Sequence, residues 1–259
     1  IILPDVIRTD IDFAKRLREF CDCGGKVLAT GKSALYENSN EFCLNLGAEW
    51  IKENPYKPDY FRPLEKIKDM GDTGYIMYGN GEKIRCIGNE LGIRENPYFN
   101  RTRAHFCSHQ HAPSDRRLTY PTAAIKGNVA YIGWDIFRGY AESGDFHIKE
   151  LVAYVIERLM NGNFTIESSI PDRGIVTLLQ QNDRKIVHLL YSHTTVRGKN
   201  TEVIEDIVPL YNVDVSVKCN KPKRVILVPQ NEEISFNYSD GRVSFTVPKV
   251  EIHQMISIE

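Results

Sequence analysis

Apolar positions recur with two different periods along this chain, and the change from mixed helical and strand spacing to strand spacing alone falls near residue 164. The opening "IIL" reads as a short buried strand. In "TDIDFAKRLREFCDCGG", Phe13, Leu17, Phe20 and Cys21 fall at i, i+4, i+7 and i+8, the spacing of one helical face. Thr9 is placed to cap that helix, with Asp12 three residues on, and Gly24 to close it. "KVLAT" is the next buried strand. A strand joined through a helix to another strand calls for a right-handed parallel crossover, so the N-terminal part should be a layered α/β domain.

Residues 32–74 hold Pro55, Pro58 and Pro63 among Tyr56, Tyr60 and Phe61, which predicts irregular surface structure. "GYIMYGNGEKIRCIG" predicts a hairpin around Gly79-Asn80-Gly81, and "TAAIKGNVAYIGWDIF" a second one around Lys126-Gly127-Asn128. In "FHIKELVAYVIERLM", Ile148, Leu151, Val152, Val155, Ile156 and Leu159 make an apolar helical stripe that Asn161-Gly162 ends. Beyond that point only short alternating runs remain, among them "RVSFTV", in which Val243, Phe245 and Val247 alternate with Ser244 and Thr246. About seven strands in such a length describe an antiparallel β-sandwich. The expectation is α/β plus all-β: a layered α/β domain over 1–163 and a β-sandwich domain over 164–259.

Composition narrows the function classes. The 259 residues are 42% hydrophobic and 26% charged, an ordinary globular balance. With 33 Lys+Arg against 34 Asp+Glu the net charge is -1, which gives no electrostatic reason to expect nucleic acid or an anionic membrane as partner. No run approaches the roughly 18 consecutive apolar residues of a membrane span. The six cysteines show no CxxC spacing, only Cys21-Asp22-Cys23, and read as small buried apolar residues. The chain opens inside an apolar run without an initiator Met, so the expectation is that any targeting segment would lie upstream.

Three stretches could carry chemistry. In "HFCSHQHAPSD", His105, Cys107, His109 and His111 recur at every second position, so a regular strand would place four candidate metal ligands on one face. Pro113 and the polar "SDRR" that follow favour instead a strand end or loop whose histidines hydrogen-bond or line an interface. "TGKSALY" follows a strand directly, where doubly wound folds place nucleophiles or phosphate-binding glycines, yet it lacks both GxxxxGK[ST] and GxSxG; Ser33 reads as a helix N-cap. Trp134, Asp135, Phe137, Arg138 and Tyr140 form an aromatic and charged set suited to a subunit interface or a sugar ring, unless Trp134 is a core residue.

"ILPDVIRTDIDFAKRLREFCDCGGKVLATGKSALY" resembles the class I glutamine amidotransferase-like domain that serves as the β-galactosidase trimerisation domain of multidomain glycoside hydrolases. The shared pattern is a strand, "LPD", an amphipathic helix, "GG" and "VLATG". "YIGWDIFRGYAESGDFHIKELVAYVIERLM" resembles that domain's last strand, loop and helix, and "VEIHQMISIE" the end of the small β domain that follows it. The resemblance implies a flavodoxin-like domain and a homo-oligomer, a trimer being one form. It also implies a catalytic barrel N-terminal to these residues and a non-catalytic role for this chain within a glycosidase, with no cofactor. In true amidotransferases a nucleophilic Cys occupies the turn after the second strand, and that place falls here at Gly31, where no cysteine stands. Two alternatives stay open: a carbohydrate-binding module, marked by a flat row of exposed aromatics on the sandwich, and a small hydrolase using the 105–111 cluster or its own carboxylate pair.

Overall fold

In the computed structural model, which describes residues 1–259, the chain divides into two compact units, Ile1–Gly162 and Asn163–Glu259. The first unit runs β1 (Ile2–Leu3), α1 (Ile11–Asp22), β2 (Val27–Thr30), β3 (Ala48–Glu53), β4 (Asp59–Pro63) and β5 (Tyr75–Met77). It continues with β6 (Glu82–Cys86), β7 (Asn89–Pro97), β8 (Ser114–Lys126), β9 (Val129–Ile132), α2 (Ile136–Ser143) and α3 (Phe146–Met160). Seven strands form one sheet in the order β1-β2-β9-β8-β7-β4-β5, and β3 pairs with β6 as a separate ribbon.

The central strands are buried on both faces, and their alternation sorts the core into two layers. Val27, Ala29, Val129 and Tyr131 face Ala14 and Leu17 of α1, while Leu28, Ala130 and Ile132 face Ile148, Leu151, Val155 and Leu159 of α3. The chain closes α1 as the glycines require. Gly24, at φ 88°, donates to Cys21 O and Gly25 donates to Phe20 O at 2.8 Å, a Schellman closure.

The layering departs from a doubly wound domain. Only β1, β2 and β9 run parallel to one another; β8, β7, β4 and β5 join them antiparallel, so the sheet is mixed and the molecule β-rich. Parallel neighbours need crossovers, and α1 supplies a helical one between β1 and β2. Where the sequence suggested irregular surface, β3 and β4 form. Pro63 ends β4, and the β7–β8 pairing absorbs Gly92, Pro97 and Pro121 through repeated register shifts. Gly92 is required there, because a Cβ would meet the Phe61 ring.

The expected hairpin at 79–81 does not form: β5 pairs with β4 and β6 with β3. Gly81 instead passes against the core, where a Cβ would lie 2.7 Å from Asp59 Oδ2 and 3.1 Å from Trp134 Nε1. The cap of α1 is Asp10, whose carboxylate accepts from Phe13 N at 2.7 Å, rather than Thr9. Thr9 is buried and bonds Leu35 O through both its amide and its hydroxyl.

The second unit contains β10 (Ile166–Ser168), β11 (Ile175–Gln181), β12 (Arg184–Tyr191), β13 (Thr195–Arg197), β14 (Thr201–Val203) and β15 (Leu210–Lys218). Then follow β16 (Val225–Val228), β17 (Glu232–Ile234), β18 (Phe236–Ser239), β19 (Arg242–Val250) and β20 (Ile252–Ile258), eleven strands rather than about seven. Sheets β10-β15-β19-β18 and β11-β12-β20-β16-β17 enclose a core in which Val213, Val215, Val217, Val243, Phe245 and Val247 meet Val187, Leu189, Ile256 and Ile258. The β18–β19 turn carries Asp240 and Gly241 at φ 51° and 73°, the left-handed pair that a tight hairpin needs.

Leu151 is buried under the first unit's sheet. Leu151→Ala is expected to cost about 2–5 kcal/mol of that unit's stability, read as a lower urea midpoint with unchanged secondary structure; an unchanged midpoint would contradict the packing described.

Candidate functional site

The turn after β2 is where the sequence would place a nucleophile, and the structure fills it. Gly31 sits at φ 55°, its amide bonds Ile132 O at 2.9 Å and its carbonyl accepts the buried Tyr131 hydroxyl at 2.5 Å. A Cβ at this position would lie 2.6 Å from Asp5 O and 2.9 Å from Asp135 Oδ1, so a side chain here collides with a backbone carbonyl and a buried carboxylate. Lys32 pairs with Glu53. Ser33 is buried within a turn that starts no helix, and its Oγ accepts from Ile7 N at 3.0 Å, which replaces the expected helix cap.

Asp5, the acid of "LPD", acts on a distant element. Its carboxylate accepts from Arg138 N at 2.7 Å, Phe137 N at 3.2 Å and Thr30 Oγ1 at 2.8 Å. The first residue before α2, Asp135, makes no side-chain cap of its own, so Asp5 satisfies that helix's free amides from another loop and places a negative charge at its positive end.

Beneath this turn lies a charged cluster. Arg94 and Asp59 are both buried and ion-paired, and the guanidinium lies 4.4 Å from the Trp134 ring centroid while donating to Glu82 O at 2.8 Å. Asp59 also accepts from Trp134 Nε1 at 2.7 Å and from Asn54 Nδ2 at 2.5 Å. Burial pulls Arg94 down to about 9, which leaves it charged at neutral pH. Glu82 accepts from Trp50 Nε1 at 2.7 Å through one oxygen, while the other oxygen is buried without a partner. Desolvation pushes its carboxyl up to about 7 against the lowering effects of Trp50 and Lys32. Asp135 is likewise raised by burial, with Asn80 Nδ2 donating to it at 2.6 Å.

The other sequence candidates scatter. Residues 103–111 form no strand: His105 and His109 are exposed, Cys107 Sγ points to the carbonyls of His109 and His111 at 3.6 and 3.3 Å, and His111 Nδ1 meets Tyr78 Oη at 3.1 Å. No group of three or more His, Cys, Asp or Glu there is arranged to hold a metal ion. Burial, then the neighbouring His109, lowers His111. Of the Trp134 set, Trp134 and Asp135 are buried, Phe137 packs against the α3-side core, and Arg138 and Tyr140 are exposed on α2, so the five share no single exposed surface. Sequence reasoning missed Arg94, Asp59 and Glu82. The signal it had was Gly81, a glycine that fits close approach as well as a turn.

A carboxyl raised from 4.5 to about 7 in the folded state binds its proton more tightly there, so the stability linked to it is complete below about pH 4.5 and is lost as pH rises through 7. The shift corresponds to about 3 kcal/mol. Glu82→Gln is expected to flatten this loss, with urea midpoints at pH 5 and pH 8 closer together than in the unaltered chain; an unchanged gap would show that Glu82 does not carry it.

No family model matches the chain, and no curated protein matches it. Solved structures do. It superposes on α-L-fucosidase isoenzyme 2 from Paenibacillus thiaminolyticus with a TM-score of 0.95 and 42% identity, covering 100% of this chain and 40% of that one. The GH42 β-galactosidase Gan42B from G. stearothermophilus matches at a TM-score of 0.54 and 15% identity over 99% of this chain and 31% of its own. The β-galactosidase from Bacillus circulans sp. alkalophilus matches at 0.57 and 13%, over 100% and 32%. The galactosidase likenesses concern the fold alone. This chain therefore spans about two fifths or less of each of these proteins, and its neighbours in structure are glycoside hydrolases, as for a domain of a glycosidase.

Proposed function

We propose that this chain is a non-catalytic assembly and bracing region of a glycoside hydrolase. Its first unit would be a trimerisation-type domain and its second a small supporting sandwich. The active-site barrel lies outside these residues. The observation that carries the reading is the filled turn at Gly31, where a side chain that could act as a nucleophile has no room. Glycoside hydrolysis needs two carboxyl groups facing a sugar, and Asp5, Asp59, Glu82, Glu95 and Asp135 are all buried in the first unit's own packing. The identity to the fucosidase makes an α-L-fucoside the parent's first candidate substrate.

Assembly would use the arm between β7 and β8. Phe106 is 72% exposed and Tyr98 67%, while Arg101 Nη1 donates to Gln110 O at 3.0 Å, Thr102 N to His105 O at 2.7 Å and Tyr60 Oη to Ala112 O at 2.7 Å. A loop held by its own bonds that still presents two large aromatics loses little entropy on docking, which suits a contact with another copy of the chain near the mouth of that copy's barrel. Light scattering over a concentration series is expected to give a discrete homo-oligomer, a trimer on this reading, and Phe106→Ser to shift it toward monomer with an unchanged circular dichroism spectrum. A chain that is monomeric at every concentration would overturn the assembly role.

A further inference from the structure

The outer face of the sheet β10-β15-β19-β18 is polar along its length. Glu167, Ser216, Ser244 and Asn237 lie in register as one row across all four strands. Two residues along, Asp214 pairs with Thr246, with Ser169 beside Asp214 through the bond from Asp214 N to Ser169 Oγ at 2.9 Å, and Ser235 next to Phe236 at the opposite end. Asp and Asn are depleted in strands, which more often carry β-branched or aromatic side chains. Eight polar side chains thus lie in two adjacent rows, of which Asp214 and Asn237 go against strand preference. The two rows line an open groove of about 550 Å³. Four strands and two rows give it a footprint of about 14 Å by about 7 Å.

Its chemistry is selective. Arg242 pairs with Glu167 at 2.6 Å and donates to Ser216 Oγ at 2.9 Å, so the cation is committed within the groove. Ser244 Oγ donates to Ser216 Oγ at 3.1 Å and Thr246 Oγ1 to Asp214 Oδ1 at 2.7 Å, aligning hydroxyls, a carboxylate and the Asn237 carboxamide. Phe236, Phe245 and Tyr238 turn into the sandwich core, so no aromatic row covers this face. We propose that this groove binds a neutral saccharide of one or two rings through its hydroxyls. Asp214 accepts from vicinal hydroxyls, the serines and Asn237 complete the contacts, and an anionic sugar is disfavoured by the two carboxylates. Without a stacking platform the affinity is weak, in the millimolar range. The site lies wholly in the second unit and does not depend on the assembly reading.

The test is backbone-amide NMR of the 259-residue chain titrated with L-fucose, D-galactose, lactose and D-glucuronate. Saturable shifts confined to residues 167–169, 214–216, 235–237 and 244–246 with at least one neutral sugar, at least threefold weaker with glucuronate and lost in Ser244→Leu, are expected. Asp214→Asn should weaken binding while keeping the same set of shifted amides, which separates a lost contact from misfolding. No shifts up to about 100 mM sugar would overturn the proposal, as would equal binding of glucuronate or binding that survives Ser244→Leu. Shifts at these amides that follow protein concentration alone would show a second copy as the occupant and overturn it equally.

Discussion

The first unit depends on a charged pair that water cannot reach. Arg94 and Asp59 sit on neighbouring strands β7 and β4, and their hydrogen bonds reach the Trp134 indole after β9, the Glu82 carbonyl on β6 and the Asn54 amide after β3. Removing one partner of such a pair typically costs about 3–5 kcal/mol, because the other is left buried and unpaired. Every element meeting there is therefore held in one geometry: Gly81 must lack a Cβ, and the Trp134 ring must stay against the guanidinium. The mixed sheet and the β3–β6 ribbon share this support.

That packing bears directly on function. The turn after β2 is occupied by Asp5, Asp135 and the Tyr131 hydroxyl, each bonded to backbone or to a neighbouring side chain. Acidic residues are abundant in the first unit but serve as caps and pair members. Outside the core packing lie, among other exposed positions, the β7–β8 arm with Phe106 and Tyr98, and in the second unit the polar rows around Ser216 and Ser244. The interior thus holds the frame, and the proposed contacts lie at the surface.

Much of this could be read from the sequence wherever one local period decides the outcome. The stripe from Ile148 to Leu159, the Cys23-Gly24-Gly25 closure, the β8–β9 hairpin and the Val243-Phe245-Val247 alternation each depend on a few adjacent residues. Failures came where distant residues set the result. Helix α2 is short and capped by Asp5, 133 positions away from the amide it bonds. Strand β4 contains a proline that a sheet edge or bulge tolerates, and Gly79-Asn80-Gly81 has hairpin composition but is used for close approach. The Arg94–Asp59 pair spans 35 positions, and no spacing rule connects them. His105, Cys107, His109 and His111 show the converse: a strand-like repeat in sequence means nothing once the backbone bends between its members.

The claim that the buried acids build the frame and catalyse nothing is tested most directly by turnover. The purified 259-residue chain, assayed at high concentration against chromogenic glycosides that include an α-L-fucoside and a β-galactoside, is predicted to release no product above the uncatalysed rate. Release of product that disappears when one of the chain's own carboxylates is changed to its amide would contradict the account.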